Sequence, residues 1–340
     1  MRTPFHPQCP GTTNVFEVYK NSRCILSANA RYALHIYLKQ KGYGKVIYVP
    51  DFICRDLLSV FNANKMTVKF YSLSKSLKPT FDNKISFDFL LMVNYFGFPQ
   101  DIGIYNTLAK KKSAILIEDN AHGLFSRDEN KKLLGSRGTI GILSPRKTID
   151  MPSTGMLLIN TKKINIKNER DLFFVESYLF KIKLLLKNFF QYCPPTFYVS
   201  LLKLRNFMRK KLTGESWSKG DPKEEFYLPI NLGVNQRFQR GILPVDHDKE
   251  VNYRRMCYTF IDEIAKKSGV QSVYPKLQPN VVPYCFPYFC DEDENKISIF
   301  EKEVLRLGFF CIPWPSLPSS IKSEKLESWY SDVKMVQFQW

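Results

Sequence analysis

Residues 114–122 read AILIEDNAH, a short apolar run that ends on two acids, Glu118 and Asp119. Further strands are predicted upstream, at residues 45–49 (KVIYV), 67–71 (TVKFY) and 87–95 (FDFLLMVNY). Stretches with helical spacing lie before and between the strands, at residues 29–41, 51–63 and 102–111. Short apolar strands interleaved with helices are typical of a parallel sheet covered on both faces. The sequence therefore predicts an α/β fold with a mostly parallel sheet between helices.

The last third of the chain has a different pattern. From Asp246 onward the sequence predicts a helix at about 249–267, a strand near 281–289 and a helix at about 294–307. Such an order is typical of a small α+β unit. We therefore expect a large α/β domain at residues 1–245 and a smaller C-terminal α+β domain at residues 246–340.

A basic segment lies between the two parts. Residues 162–212 contain twelve Lys or Arg against three Asp or Glu. Residues 172–190 have the spacing of an amphipathic helix, and residues 197–212 form a second basic amphipathic stretch. We interpret this region as a helical insertion at about 165–230. It either packs on a dimer and covers the site, or lies on the inner membrane surface as an interfacial helix.

Composition limits the function further. The net charge of +18 suits anionic partners such as phosphorylated small molecules, anionic lipid or nucleic acid, but no zinc-finger or RNP motif supports nucleic acid. Eight scattered cysteines and four histidines give no metal-ligand spacing, so reduced thiols and no metal are expected. No apolar run spans a bilayer and residues 1–10 do not resemble a secretory signal, which favours a cytoplasmic protein.

Parallel sheets bind ligands beyond the carboxyl ends of their strands. That rule selects Asp51 with Phe52, Asn94 with Tyr95, and Asp119. A buried acid needs a partner, although an aspartate just after a strand is more commonly a helix cap. Asp119 alone therefore does not define a site.

A lysine follows the next predicted strand. Residues 144–147 read SPRK, after a strand at 139–143 and before an apolar run at 156–159. Alone, Lys147 is more commonly a loop residue. With Asp119 it supplies the amine and the acid that pyridoxal-phosphate (PLP) chemistry needs, since the acid keeps the ring nitrogen protonated. The Ser144 hydroxyl and the helix start at Ala30 and Arg31 would supply phosphate donors.

Blocks along the chain strengthen this interpretation. They read NARYAL (29–34), VPDF (49–52), NYFG (94–97), IEDNAH (117–122), SPRK to Gly155, LGVNQR (232–237) and IPWP (312–315). In this order, over nearly the whole chain, they resemble the DegT/StrS-like sugar aminotransferases, which have the PLP-dependent aspartate-aminotransferase fold. The chain departs from that pattern after the lysine, where Pro152-Ser153-Thr154-Gly155 replaces Gly-Glu-Gly-Gly, and at Ala30-Arg31, where Gly-Thr is usual.

The resemblance implies a role for each matching residue. Lys147 would hold PLP as a Schiff base and carry the proton, Asp119 would pair with the ring nitrogen, and His122 would approach the ring hydroxyl or the substrate. Ala30, Arg31 and Ser144 would bind the phosphate. Asn235, with Arg237, would reach the phosphate in a neighbouring subunit, which requires a homodimer with shared active sites. Phe52 would either stack on the ring or belong to the core.

The resemblance also implies an activity. The chain would transfer an amino group from an amino acid, glutamate above all, to a nucleotide-linked keto-sugar in surface polysaccharide or related glycan biosynthesis. Three alternatives stay open: a PLP-binding regulator or scaffold without turnover, a PLP-dependent sugar dehydratase, and a nucleic-acid binder suggested by charge alone. Some dehydratase relatives replace the lysine, so the presence of Lys147 favours transamination.

Overall fold

The computed structural model describes residues 11–149, 151–167, 221–229, 233–291, 293–314, 316–319, 321 and 327–338, together with 182, 197, 200, 204, 207–209, 211–212 and 214. The predicted helix at 172–190 and most of the stretch at 197–212 lie outside the described residues. The predicted insertion at 165–230 is described only at its two ends and at those few positions between 182 and 214.

An eight-stranded sheet forms the centre of the first half of the chain. Its strands are β2 (Arg23–Ser27), β3 (Val46–Pro50), β4 (Thr67–Leu73), β5 (Pro79–Thr80), β6 (Phe89–Val93), β7 (Ile115–Asn120), β8 (Ile140–Leu143) and β9 (Gly155–Ile159). Their order is β2-β9-β8-β7-β6-β3-β4-β5. Neighbours from β8 to β4 pair in parallel, whereas β9 pairs antiparallel with both β8 and β2. The predicted α/β class with a mostly parallel sheet is confirmed.

The central strands are apolar because both of their faces are covered. Every residue of β6, β8 and β9 is buried. The predicted strands at 45–49, 87–95, 114–117 and 139–143 all correspond to observed ones, with ends that shift by a few residues. A short ribbon, β1 (Thr13–Asn14) with β10 (Ile242–Leu243), joins the two ends of the large unit.

Helices connect these strands: α1 (Val15–Val18), α2 (Ala30–Lys41), α3 (Leu58–Ala63) and α4 (Ile102–Lys111). The side chain of Asn29 caps α2 by accepting a hydrogen bond from the Tyr32 amide at 2.8 Å. Leu34, Tyr37 and Leu38 on one face of α2 are fully buried against the sheet. The predicted helices at 29–41 and 102–111 are confirmed.

The predicted helix at 51–63 is wrong over its first residues. A 3-10 turn begins only at Arg55, and α3 begins at Leu58. The amide of Asp51 instead extends the pairing with β4 by donating to the Tyr71 carbonyl at 2.9 Å. The Asp51 carboxylate accepts a hydrogen bond from the buried Tyr330 hydroxyl, a contact that lies 279 positions away in sequence. Long-range pairing therefore holds residues 51–54 out of a helix.

The C-terminal part combines helices with a small sheet. It contains α5 (Gln236–Gln239), α6 (His247–Ser268), α7 (Glu294–Arg306), β11 (Cys285–Phe289), β12 (Phe310–Pro313) and β13 (Val333–Gln337). The sheet is antiparallel, in the order β11-β13-β12. Asp246 caps α6 at its start, and Gly269 ends it at a φ of 71°. The predicted strand at 281–289 begins only at Cys285, and β13 is a strand that the sequence pattern did not reveal.

Candidate active site

A cavity of about 90 Å³ opens at the carboxyl ends of the parallel strands. Its floor comes from three strands in register, because Val93 of β6 lies opposite Asp119 of β7, and Asp119 lies opposite Ile142 of β8. All three line the cavity. Of the residues selected by the strand-end rule, Asp119 and Asn94 line the cavity, whereas Asp51, Phe52 and Tyr95 are not among the lining residues.

Lys147 lies at the end of a 3-10 turn, Pro145–Lys147, that directly follows β8. Its Nζ is 3.0 Å from Nε2 of His122. Burial lowers the pKa of Lys147, while the nearby Cys54 and Asp119 oppose that shift. A larger share of the amine is therefore neutral near pH 7 than for an exposed lysine, and a neutral amine can act as a nucleophile or a base.

His122 follows β7 and is held between aromatic rings. Its ring lies parallel to that of Tyr284, with centroids 4.6 Å apart, and Phe96 stacks at 6.2 Å on a nearly parallel plane. Burial, together with the charge of Lys147, lowers the pKa of His122 well below 6.5. His122 is therefore a neutral imidazole at physiological pH, in a fixed orientation beside the amine.

Asp119 and its neighbour Glu118 point to opposite faces of β7, as successive strand residues do. Glu118 is fully buried and accepts hydrogen bonds from Nε and the backbone amide of Arg137, at 2.7 and 2.8 Å. The Asp119 carboxylate lines the cavity and accepts a hydrogen bond from the Ala121 amide at 2.9 Å. Burial raises the pKa of Asp119, while the charge of Lys147 opposes the shift. A cationic ring nitrogen beside Asp119 would lower that pKa again and favour the ionised carboxylate.

The start of α2 forms another wall of the cavity. The first amides of the helix, those of Ala30 and Arg31, have no partner within it. A Cβ on Gly155 would lie 2.0 Å from the Asn29 carbonyl carbon, so only glycine lets β9 approach this turn.

Ser144 completes the set of donors. The residue is 4% exposed and lines the cavity, and its hydroxyl makes no hydrogen bond to any residue that the structure describes. The hydroxyl, the amides of α2, the acid and the amine together fit the polar groups of a phosphorylated pyridine aldehyde.

Two predicted site residues lie away from the cavity. Phe52 is fully buried among aromatic rings, 4.7 Å from Tyr330 and 5.1 Å from Trp329 between centroids. Phe52 was expected either to stack on the cofactor ring or to belong to the core, and its position is that of a core residue. Asn235 caps α5 by accepting hydrogen bonds from the Arg237 and Phe238 amides, and it does not line the cavity of its own chain.

Several lining residues were missed by the sequence analysis: Cys54, Asp56, Arg146 and Trp314. Trp314 belongs to a block that was recognised, but no role was given to it. Its ring lies 5.3 Å from that of His122. For Arg146 the signal was present, since it stands directly before the lysine.

A buried arginine supports the site from α6. Arg254 is 1% exposed, pairs with Glu250 at 2.7 Å and donates to the carbonyl of Thr148, the residue after Lys147, also at 2.7 Å. It donates as well to the Tyr284 carbonyl at 3.1 Å. Arg254 therefore connects the lysine turn with the residue that stacks on His122.

Within the described ranges, no group of His, Cys, Asp and Glu could hold a metal ion. No helix in the same ranges is long and apolar enough to cross a membrane.

Comparison with known proteins identifies the family of the central segment. Residues 80–170 match the model of the DegT/DnrJ/EryC1/StrS aminotransferase family. This segment includes Asp119, His122, Ser144 and Lys147, so the family resemblance predicted from sequence is confirmed. Comparison with curated protein sequences found no match.

Solved structures extend the likeness to nearly the whole chain. Helicobacter pylori PseC, an aminotransferase involved in pseudoaminic acid biosynthesis, is 11% identical and aligns over 98% of this chain and 87% of its own, with a TM-score of 0.60. DesI, solved in the presence of its TDP-sugar product, is 13% identical over 95% and 77%, with a TM-score of 0.59. The E. coli GDP-4-keto-6-deoxy-D-mannose-3-dehydratase with bound hydrated PLP is 14% identical over 95% and 86%, with a TM-score of 0.57.

These structures establish the fold. It is the fold that DegT-family sugar aminotransferases and dehydratases share, with a mostly parallel sheet and a small C-terminal antiparallel sheet.

Proposed function

We propose that this protein is a PLP-dependent aminotransferase that moves an amino group from an amino acid, glutamate in the first place, to a nucleotide-linked keto-sugar. The observation that carries the proposal is the position of Lys147 and Asp119. The amine and the acid line one cavity from the ends of neighbouring strands, with the acid on the strand next to the one that leads into the lysine turn. PLP chemistry needs that pair at one site.

Each residue has a task in this proposal. Lys147 binds the cofactor covalently and moves a proton as a general acid and base. Asp119 holds the ring nitrogen, and Ser144 with the amides of Ala30 and Arg31 binds the phosphate. His122 orients the amine of Lys147 through their 3.0 Å contact. When bound, the cofactor would supply the electron sink that transfer of an amino group needs.

The matched structures and the net charge support this substrate class. The DesI structure contains a TDP-sugar product, and the net charge of +18 favours an anionic substrate of this kind. The dehydratase among the matched structures supports a second candidate, a PLP-dependent sugar dehydratase. The lysine at position 147 favours transamination, because a base that returns the proton to the cofactor side is what transfer of the amino group needs.

The decisive experiment replaces Lys147. Lys147→Ala should abolish the Schiff-base absorbance with PLP, whereas Lys266→Ala, which removes an exposed lysine of α6, should retain it. Covalent PLP binding by Lys147→Ala would overturn the proposal.

Addition of glutamate to the wild-type protein should convert the spectrum to that of the pyridoxamine form. A protein that binds PLP but shows no conversion with any amino donor would be a regulator or scaffold. Screening nucleotide keto-sugars with glutamate would then identify the acceptor.

The homodimer with shared sites remains part of the proposal. It places Asn235 and Arg237 at the cofactor of the neighbouring subunit. Asn235 is 4% exposed and is the N-cap residue of α5, so its backbone position is well fixed for such a contact. Light scattering should give twice the mass of one chain, and Asn235→Ala should weaken PLP binding only in the dimer.

We further propose a cytoplasmic enzyme that contacts the inner membrane surface through the basic segment. The described side chains of that segment include exposed apolar ones: Phe197, Leu204, Phe207, Met208 and Leu212. Apolar side chains on a basic segment are typical of peripheral contact with anionic lipid. Co-sedimentation with anionic vesicles should be lost when residues 165–215 are deleted. Equal binding without the segment would contradict the membrane contact.

A further inference from the structure

One buried arginine of the C-terminal part contacts both sides of the candidate site. Arg254 lies on α6 and is 1% exposed. Its Nη2 donates to the carbonyl of Thr148 at 2.7 Å, and its Nη1 donates to the carbonyl of Tyr284 at 3.1 Å. Thr148 directly follows Lys147, and Tyr284 stacks on His122. One guanidinium thus contacts the backbone beside each member of the Lys147–His122 pair.

The shape of the guanidinium fixes the relation between these two backbone segments. Its terminal nitrogens belong to one rigid planar group, so the carbonyls of Thr148 and Tyr284 are held at one separation and in one orientation. Nε of the same group donates to the Glu250 carboxylate at 2.7 Å, one turn earlier on α6, which fixes the plane of the fork. A lysine in place of Arg254 would supply a point charge and could not impose this relation.

The turn that carries Lys147 is tight, so a displacement at one end moves the whole turn. The amides of Thr148 and Ile149 both donate to the Pro145 carbonyl, at 2.9 and 2.8 Å. The amide of Lys147 donates to the Ser144 carbonyl at 3.0 Å. The contact that holds the Thr148 carbonyl therefore also holds the backbone of Lys147.

The backbone beside the imidazole has a conformation that needs support. Phe96, the second ring that stacks on His122, has a φ of 56°. This left-handed conformation is unfavourable for a bulky residue and persists where surrounding contacts hold it. The carbonyl of Phe96 accepts a hydrogen bond from the Tyr284 amide at 2.8 Å. Tyr284 is thus fixed by Phe96 through its amide and by Arg254 through its carbonyl, so both stacking rings belong to one frame.

Stability alone does not explain a buried ion pair between Arg254 and Glu250. Charges are costly to desolvate, and a well-packed apolar pair of similar volume is often at least as stable as a buried ion pair. An apolar pair cannot, however, supply directed donors to two carbonyls from different parts of the chain. Those carbonyls lie 106 and 30 positions away from Arg254 in sequence.

We infer that Arg254 is a positioning residue that sets, from α6, the relation between the Lys147 amine and the His122 imidazole. Its part in transamination rests on the proposed function. The positioning itself does not, because every contact that produces it joins groups of the protein. The C-terminal part of the chain is then a determinant of how reactive the amine is, although the amine lies in the large unit.

The test measures the amine of Lys147 without the cofactor. The cofactor-free protein is treated with trace acetic anhydride over a range of pH, and mass spectrometry follows acetylation of the peptide that contains Lys147. The midpoint of the rate profile reports the pKa of the amine, since only the neutral form reacts. Burial is the largest cause of the lowered pKa of Lys147. A lysine turn that is released toward water should therefore titrate at higher pH than in wild type.

The variants separate positioning from folding. Arg254→Lys and the double variant Glu250→Gln, Arg254→Met both lose the fork, one with and one without the buried charge. Glu250→Gln alone keeps the fork and loses the acid. Arg255→Lys is the matched control, because Arg255 of the same helix donates to two other carbonyls, those of Gln278 and Val281, at 2.8 and 2.7 Å. Urea midpoints verify that each variant is folded.

Both variants without the fork should show a higher midpoint for Lys147. Their acetylation rate at pH 7, relative to the plateau at high pH, should fall at least about threefold. Glu250→Gln and Arg255→Lys should keep the wild-type midpoint for Lys147, even where their urea midpoints fall. With PLP added, the pH dependence of the Schiff-base absorbance should change in the same two variants and in neither control.

Two results would overturn the inference. Wild-type midpoints for Lys147 in both variants without the fork, together with lower urea midpoints, would show that Arg254 has a structural role alone. An equal shift in Arg255→Lys would show that any loosening of α6 has the same effect. Failure of the proposed function is separable from both. A wild-type protein that forms no Schiff base with PLP, but whose Lys147 midpoint depends on the fork, would retain the positioning role and lose the aminotransferase proposal.

Discussion

The amine of Lys147 lies 3.0 Å from Nε2 of His122, whose ring is parallel to that of Tyr284. The stack fixes the plane of the imidazole, so its nitrogen is directed at the amine rather than free to rotate. Because burial keeps His122 neutral, it can accept a hydrogen bond from the protonated amine or donate one to the neutral amine. This contact gives Lys147 a defined direction before any ligand is bound.

His122→Phe separates the hydrogen bond from the stack. Phenylalanine should keep the packing against Phe96 and Tyr284 but lose the contact with Lys147. A hydrogen bond that involves a charged group contributes about 1.5–3 kcal/mol, so PLP affinity should fall roughly tenfold or more. Absorbance titration measures the change. His122→Ala, which also loses the stack, should lower PLP affinity further than His122→Phe does. A His122→Phe protein with wild-type PLP affinity would show that the contact between His122 and Lys147 is dispensable.

Removal of the lysine charge should raise the pKa of His122. In the cofactor-free protein, burial is the larger cause of the lowered pKa and Lys147 the smaller. In Lys147→Ala only burial remains, so the imidazole should titrate at higher pH than in wild type but still below 6.5. Ring chemical shifts measured by NMR across acidic pH give both midpoints. A midpoint that falls or stays unchanged in Lys147→Ala would contradict the coupling.

Arg254→Met should destabilise the fold strongly. It leaves the buried Glu250 without its cation and frees the Thr148 carbonyl beside the lysine. Breaking a buried pair from one side costs about 3–5 kcal/mol, measured as the free energy of unfolding in urea. The double variant Glu250→Gln, Arg254→Met should recover part of the loss. Arg306→Met, at the exposed pair with Glu303, should change stability by less than about 1 kcal/mol.

Gly155→Ala tests the close approach of β9 to the start of α2. The new Cβ would overlap the Asn29 carbonyl carbon, so β9 or the turn must move. We expect a loss of stability of about 1–3 kcal/mol and weaker PLP binding, because the amides of Ala30 and Arg31 move with the turn. Gly103→Ala in α4 is the control, since alanine suits a helix and should cost less than about 1 kcal/mol. Equal effects of both substitutions would argue against a special role for Gly155.

Asp51 should give the protein a distinct pH dependence of stability. Burial raises the pKa of this carboxyl to about 6 from its ordinary value of 3.8, although the Tyr330 hydroxyl bonds to it. The native state therefore binds the proton more tightly than the unfolded state does. The stability that this group contributes is present below about pH 4 and is lost as the pH rises through about 6.

The measurement compares wild type with Asp51→Asn, which carries no titrating group. Relative to that variant, wild type should lose on the order of 1–2 kcal/mol between about pH 4 and about pH 7, after allowance for solvent screening. Glu129→Gln, at an exposed carboxyl, is the control and should show no such difference. A wild-type protein that gains stability over this interval relative to Asp51→Asn would reverse the sign and refute the argument.

The sequence predicted what depends on local pattern. The parallel strands, α2 and α4 were all recognisable because their apolar positions repeat at the spacing of a strand or a helix. The antiparallel direction of β9 could not be predicted, because the run GMLLI is buried on both faces and its apolar pattern is the same for a parallel and an antiparallel strand. The helix predicted at 51–63 was wrong at its start because the Asp51 carboxylate accepts a hydrogen bond from Tyr330, which is distant in sequence. Local pattern cannot reveal such a contact.

The site divides in the same way. Asp119, Ser144 and Lys147 were found because each follows a predicted strand, and the strand-end rule places such residues together. Arg254 could not be found. An arginine in the middle of a polar helix is ordinarily exposed, and its burial depends on carbonyls 30 and 106 positions away.

The stack on His122 has a consequence for the order in which the protein is made. Asp119, His122 and Lys147 lie within one short stretch of chain, and β8 and β9, which flank the lysine turn, are neighbours in both sequence and space. Tyr284 and Trp314, which cover His122, are synthesised much later. The contacts that fix the lysine turn and the imidazole, from Arg254 to the Thr148 carbonyl and from Tyr284 to His122, likewise come from residues made after Lys147. A chain that ends before these residues would hold Asp119, His122 and Lys147 without the contacts that orient them.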